Sequence, residues 1–148
     1  MAKLINTQGL IEDTELAAVT LSEWLENKDK LTGQNLQLTL NSDETVDLIG
    51  ADAANFQRIC IDFPKFADGR GYSAARLLRE KYGYTGELRA VGDVLIDQVF
   101  FMKRCGFDSY ALREDQVLED AIAAFSTFTS PYQNDANDQR PLFRRRLS

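Results

Sequence analysis

The chain of 148 residues contains no histidine, only two cysteines, three prolines and one tryptophan. Without histidine there can be no Ser-His or Cys-His nucleophile pair, no imidazole acid–base step and no His-ligated metal. Cys60 and Cys105 are too few and too far apart for a zinc site or a Cys-x-x-Cys redox motif. Each is read as a small buried apolar group: Cys60 lies mid-strand, and Cys105 ends a helix, where the dipole does not favour a thiolate. No apolar run approaches the ~18 to 20 residues needed to span a bilayer. The opening Met1-Ala2-Lys3-Leu4-Ile5-Asn6 lacks the long apolar core of a secretory signal, so a cytoplasmic location is expected. What chemistry there is must use carboxylates, basic side chains, tyrosines, a lone thiol or a cofactor. No fingerprint specifies that cofactor.

The net charge of −6 argues against bulk attraction to nucleic acid or to an anionic membrane. It is unevenly placed. The segment from Thr129 holds four arginines and two aspartates, leaving the body with 13 basic and 21 acidic residues. With 44% hydrophobic and 27% charged residues, the body reads as one folded domain over 1–128. Within it, residues 1–33 form an N-terminal hairpin and helix, and residues 34–128 a series of βα units. Residues 129–148 form a polar tail with a basic end. Leu142, Phe143, Arg144, Arg145 and Arg146 there have the composition of a docking peptide, or of a frayed terminus lying on its own acidic body.

Lys3 to Asn6 and Leu10 to Asp13 are expected to pair across Thr7-Gln8-Gly9. Thr20 and Glu23 form a capping box for a helix to Leu31. Leu36 to Leu40 alternates apolar and polar residues as a strand does, and 41–56 reads as partly helical. Strands at 58–63, 87–91 and 107–112 alternate with helices at 73–82, capped by Ser73, and 93–105, capped by Asp93. A last helix starts at Asp115 and points Leu118, Ala121, Ile122, Phe125 and Phe128 inward. Alternation with short connections gives an α/β fold with a parallel sheet. Polar Asp62 and Arg89 inside strands favour half of a (βα)₈ barrel over an open doubly wound sheet. Open strand edges then imply a homo-oligomer or another partner.

The strand ends bring the candidate site together. Asp62, Lys65, Asp68, Arg70 and Tyr72 follow one strand, Arg89 and Asp93 frame the end of the next, and Arg113 follows the last. Gly69, Gly71 and Ser73 would offer backbone N–H groups at a helix start, and Lys65, Arg70, Arg89 and Arg113 positive charge. The rim suits a small oxyanion or a phosphate-bearing cofactor, with Asp62 or Asp93 as acid or base. It matches neither the P-loop nor the dinucleotide fingerprint. A plainer reading makes Asp62–Arg89 a buried pair, Asp68-Gly69 a turn and Asp93 a helix cap.

Two stretches are distinctive as text. One is Asp62-Phe63-Pro64-Lys65-Phe66-Ala67-Asp68-Gly69-Arg70-Gly71-Tyr72-Ser73, with Ala75-Arg76-Leu77-Leu78-Arg79. The other is Gly86-Glu87-Leu88-Arg89-Ala90-Val91-Gly92-Asp93-Val94-Leu95, with Asp97-Gln98 and Arg104-Cys105-Gly106-Phe107-Asp108. Together they closely resemble a bacterial domain-of-unknown-function family, number 934, encoded beside assimilatory sulfite reductase and labelled an oxidoreductase of sulfite reduction. The resemblance is strong from Ile59 to Leu112, looser in the first third, and returns at Pro141-Leu142-Phe143-Arg144-Arg145. It implies a role in sulfur assimilation, with sulfite reductase as a partner, and carries no catalytic residues. Three functions follow as expectations: an accessory protein of sulfite reduction, a small enzyme acting on an anionic substrate, or a non-catalytic oligomeric scaffold.

Overall fold

Seven strands make one sheet in the order β2-β1-β7-β6-β5-β4-β3. The computed structural model describes residues 3–41, 44–64, 69–117, 119–121 and 123. The strands are β1 (Lys3–Asn6), β2 (Gly9–Leu10), β3 (Ala17–Thr20), β4 (Leu36–Asn41), β5 (Phe56–Phe63), β6 (Glu87–Gly92) and β7 (Ser109–Leu112). The helices are α1 (Leu21–Leu31), α2 (Arg70–Arg76), which continues as a π-helical stretch Leu77–Lys81, and α3 (Ile96–Cys105). Two 3₁₀ turns, Val46–Leu48 and Gly50–Asn55, join β4 to β5.

Strands β3 to β7 are parallel and lie in chain order, while β1 runs antiparallel to β7 and to β2. The fold is therefore α/β with a mostly parallel sheet, as expected. It has no reversal of winding, the mark of a doubly wound sheet. The sequential order alone does not establish a half-barrel. Right-handed crossovers between neighbours taken in this order put every connecting helix on the same face. That face is apolar. Leu36, Leu38 and Leu40 of β4, Ile59, Ile61 and Phe63 of β5, Leu88 and Ala90 of β6, and Tyr110 of β7 are all buried along it. Trp24 of α1 meets Phe56 edge-on at 4.8 Å, and Phe63 meets Tyr72 of α2 at 5.1 Å. A register shift between Leu36 and Gln37 passes over Gln57, so Phe56 and Ile59 share the helix face although three residues apart.

Several local expectations need correction. β3 was not foreseen: of its four residues only Val19 is buried, so it shows no alternation. α2 begins at Arg70 after Gly69, so Ser73 lies inside the helix, its N–H donating to the Gly69 carbonyl at 3.2 Å. α3 begins at Ile96, not at Asp93, whose N–H is given to the Phe63 carbonyl at 2.7 Å. The second hairpin strand is only Gly9–Leu10, and β7 starts at Ser109. Residues 119–121 are helical, but Leu118, Ile122, Phe125 and Phe128 of the expected last helix lie outside the described residues. No helix among the described residues is long and apolar enough to cross a membrane.

Candidate functional site

Successive side chains on a strand point to opposite faces, so β4 to β7 turn a second set of residues away from the helices. In register these are Gln37, Arg58 and Glu87; then Thr39, Cys60, Arg89 and Ser109; then Asn41, Asp62 and Val91. This second face is polar, and its C-terminal end is the rim expected to carry the site.

At the rim, Asp62 is half-buried and has no hydrogen-bond or ion-pair partner among the described residues. Its carboxylate fits only because position 92 is glycine. A Cβ there would stand 2.1 Å from Asp62 Oδ1 and 2.5 Å from the Phe63 carbonyl oxygen, and Gly92 sits at φ +91°. Backbone bonds knit the neighbouring strand ends: the Asp93 N–H donates to the Phe63 carbonyl, and the Arg113 N–H to the Val94 carbonyl at 3.0 Å.

The structure joins Asp93 to Arg113 directly. Arg113 Nη1 donates to Asp93 Oδ1 at 2.8 Å, Nε to Asp115 Oδ1 at 3.0 Å, and Nη2 to Asp115 Oδ2. Arg113 holds the Asp115 carboxyl down to about 2, and Asp115 and then Asp93 push the guanidinium upward. Asp115 was foreseen only as a helix cap. Its place two residues after the strand-end arginine is the signal that marks it as that arginine's partner.

The other expected residues separate. Arg70 is exposed at the first position of α2, and Gly69 precedes it. Gly71 is buried under the Phe63 ring, where a side chain would collide with it. Lys65 and the tail residues Leu142, Phe143, Arg144, Arg145 and Arg146 lie outside the described residues. Arg89 is three residues short of the end of β6, about 10 Å back along the strand. It does not bond to Asp62. Instead Nη1 donates to Asp13 Oδ1 at 2.8 Å, Nη2 to Glu87 Oε2 at 2.9 Å, and Nε to Ser109 Oγ at 3.2 Å.

That geometry reveals a second constellation, unforeseen apart from Arg89. Arg58 Nε donates to Gln37 Oε1 at 2.8 Å and Nη2 to the Thr14 carbonyl at 2.9 Å, while Nη2 lies 3.5 Å from Asp13 Oδ1 and Nη1 3.9 Å from Glu87 Oε1. Ser109 Oγ donates to Glu87 Oε2 at 2.6 Å. Two arginines, two carboxylates and a hydroxyl thus form a closed network in which the charges balance. Buried charges are tolerated only when paired and hydrogen-bonded in this way. Asp13 is held below its ordinary range, chiefly by the Arg89 hydrogen bond. Cys60, in register with Arg89, is pushed up to about 11 by burial, although Arg89 and Arg58 pull the other way. Four charged residues among the six alternate positions of β5 and β6 on this side (Arg58, Asp62, Glu87, Arg89) are the pattern that could have announced this face.

The molecule is thus an α/β protein with a singly wound sheet, apolar toward its helices and charged on the other side. Residues 37–143, from β4 through β7 and beyond, match the family model described as bacterial protein of unknown function (DUF934), and the chain belongs to that family. Neither the curated proteins nor the solved structures that were searched contain a match.

Proposed function

We propose that this chain is an accessory protein of assimilatory sulfite reduction that binds the reductase instead of turning over a substrate itself. The link to sulfite reduction comes from the family resemblance and its gene neighbourhood. The observation that carries the non-catalytic reading is the state of the rim arginine. Arg113 gives all three of its described donor nitrogens to Asp93 and Asp115, so the cation and the acid–base candidate neutralise each other. The basic tail, with Leu142, Phe143 and Arg144 to Arg146, is the docking element, and the site of action is the cytoplasm. The edge strand β3, with Ala17 and Ala18 exposed, supports self-association, which light scattering during size exclusion tests.

A pull-down against the reductase, with the full chain and with the chain ending at residue 128, tests the docking. Binding that is lost with the tail is expected; no binding at any salt concentration would sink the proposal. One observation favours a second reading, a small enzyme acting on an anionic sulfur or phosphate compound: Asp62 is a half-buried carboxylate with no partner among the described residues, the condition of a general acid or base. A ligand that raises the melting temperature of the wild type but not of Asp62→Asn would favour that enzyme.

A further inference from the structure

The guanidinium groups of Arg58 and Arg89 are deeply buried, with side chains 4% and 7% exposed, yet they do not lie in the apolar core. They stand side by side on the polar sheet face, and the loop between β2 and β3 roofs them. From that loop Asp13 reaches both, and the Thr14 carbonyl reaches Arg58. Glu87 is fixed on the sheet. Asp13 is different: it lies in a stretch with no regular structure, and its side chain is 60% exposed. It offers both arginines the same oxygen, Oδ1, at 2.8 Å to Arg89 and 3.5 Å to Arg58.

With Asp13 withdrawn, the face would present two guanidinium groups against the single charge of Glu87, with the Ser109 hydroxyl and the Gln37 amide beside them. Planar guanidinium forks match oxyanions better than any other side chain, and they bind most strongly where water is excluded. A sulfate-, sulfite- or phosphate-type anion carries three or four oxygens and up to two charges. It could therefore give each arginine an oxygen of its own, which the single oxygen of Asp13 does not.

We propose that Arg58 and Arg89 form a binding site for a small divalent oxyanion, and that Asp13 is the built-in occupant which that anion displaces. The site lies on the sheet face, upstream of the rim, and the proposal stands independently of reductase docking. The docking tail contains none of its residues, so the pull-down succeeds or fails regardless.

The test uses the full chain and its Asp13→Asn variant. Melting temperature is followed during titration with sodium sulfate, sulfite or phosphate, each against sodium chloride at equal ionic strength. Asp13→Asn should melt lower than the wild type in chloride and recover as the anion is added. Its apparent affinity should be about tenfold or more tighter, since a charge-assisted competitor is gone. Adding Arg89→Gln should abolish the response. The three anions are separate arms, and a response to any one supports the site and identifies its ligand. If Asp13→Asn does not fold, the guanidinium Nε–Hε resonances of Arg58 and Arg89 in the wild type are followed instead, and shifts in both on adding anion support the site. The proposal is overturned if no anion outperforms chloride in either protein, if the response survives Arg89→Gln, or if those resonances stay still.

Discussion

The Phe63 ring lies so close over the backbone of Gly71 that a Cβ added there would stand 2.5 Å from ring atom Cε1. The ring cannot easily retreat, because Tyr72 and Phe107 hold it at 5.1 and 5.7 Å. This contact sets how closely α2 packs against the end of β5. Gly71→Ala should therefore cost about 1–3 kcal/mol by overpacking, outweighing the ~1 kcal/mol that alanine gains over glycine within a helix. Urea denaturation measures the difference, and a variant more stable than the wild type would show that the ring moves aside.

Arg79 should prove the most costly single arginine to remove. Its Nε donates to the Gly106 carbonyl at 3.0 Å, its Nη1 to the Tyr84 and Gly86 carbonyls at 2.8 Å each, and its Nη2 to Asp108. Asp108 in turn accepts from the Leu88 N–H at 3.0 Å. Arg79→Met should lose about 2–4 kcal/mol in chemical denaturation, since it leaves several acceptors unanswered. Arg79→Lys should recover little, because one ammonium cannot reproduce a planar fork.

The Arg113 cluster makes a pH prediction with a definite sign. Asp115 is depressed to about 2 from an ordinary 3.8, so its contribution to stability is present above the ordinary value and lost as pH falls through about 2. Carboxyl carbon NMR should find its midpoint near 2 in the wild type and close to the ordinary value in Arg113→Gln. An unchanged midpoint in the variant would mean that Arg113 is not its partner in solution.

Neither thiol should be reactive in the native protein. Burial pushes Cys60 up to about 11 and raises Cys105 as well. At pH 8 about one Cys60 thiol in a thousand is ionised, and the thiolate is the form that reacts. Iodoacetamide should label both cysteines in denaturant and neither, within an hour, in native buffer. Rapid native labelling of Cys60 would imply that the sheet face is open.

Patterning made the alternation of strands and helices legible, because Leu36 to Leu40 and the run from Arg58 to Phe63 bury every second residue against helices. The capping box at Thr20 also predicts the start of α1, with the Glu23 N–H reaching Thr20 Oγ1 at 3.2 Å. β3 was not legible, since an edge strand of exposed alanines needs no apolar alternation. The helix starts at Ser73 and Asp93 were misplaced for a shared reason: tertiary contacts had claimed the local signals. Gly71 reads as loop but lies within a helix, under the Phe63 ring, and Asp93 reads as a cap but serves Phe63 and Arg113. The structure pairs Asp93 with Arg113, 20 positions apart, and sets Arg89 back from the strand end, and the local order of residues announces neither. Asp13 and Arg89 lie 76 positions apart, and no local pattern joins them.

The order of strands in the sheet also bears on how the chain assembles. From β3 onward each new strand lands beside the one just made, so that part can grow by short loop closures as the polypeptide emerges from the ribosome. Strand β1 has only the two-residue β2 as a local neighbour. Ile5 of β1 finds its place opposite Tyr110 of β7, near the far end of the described chain. The β1–β2 ribbon must therefore wait, paired only within itself, until β7 has been made, and its docking closes the described sheet.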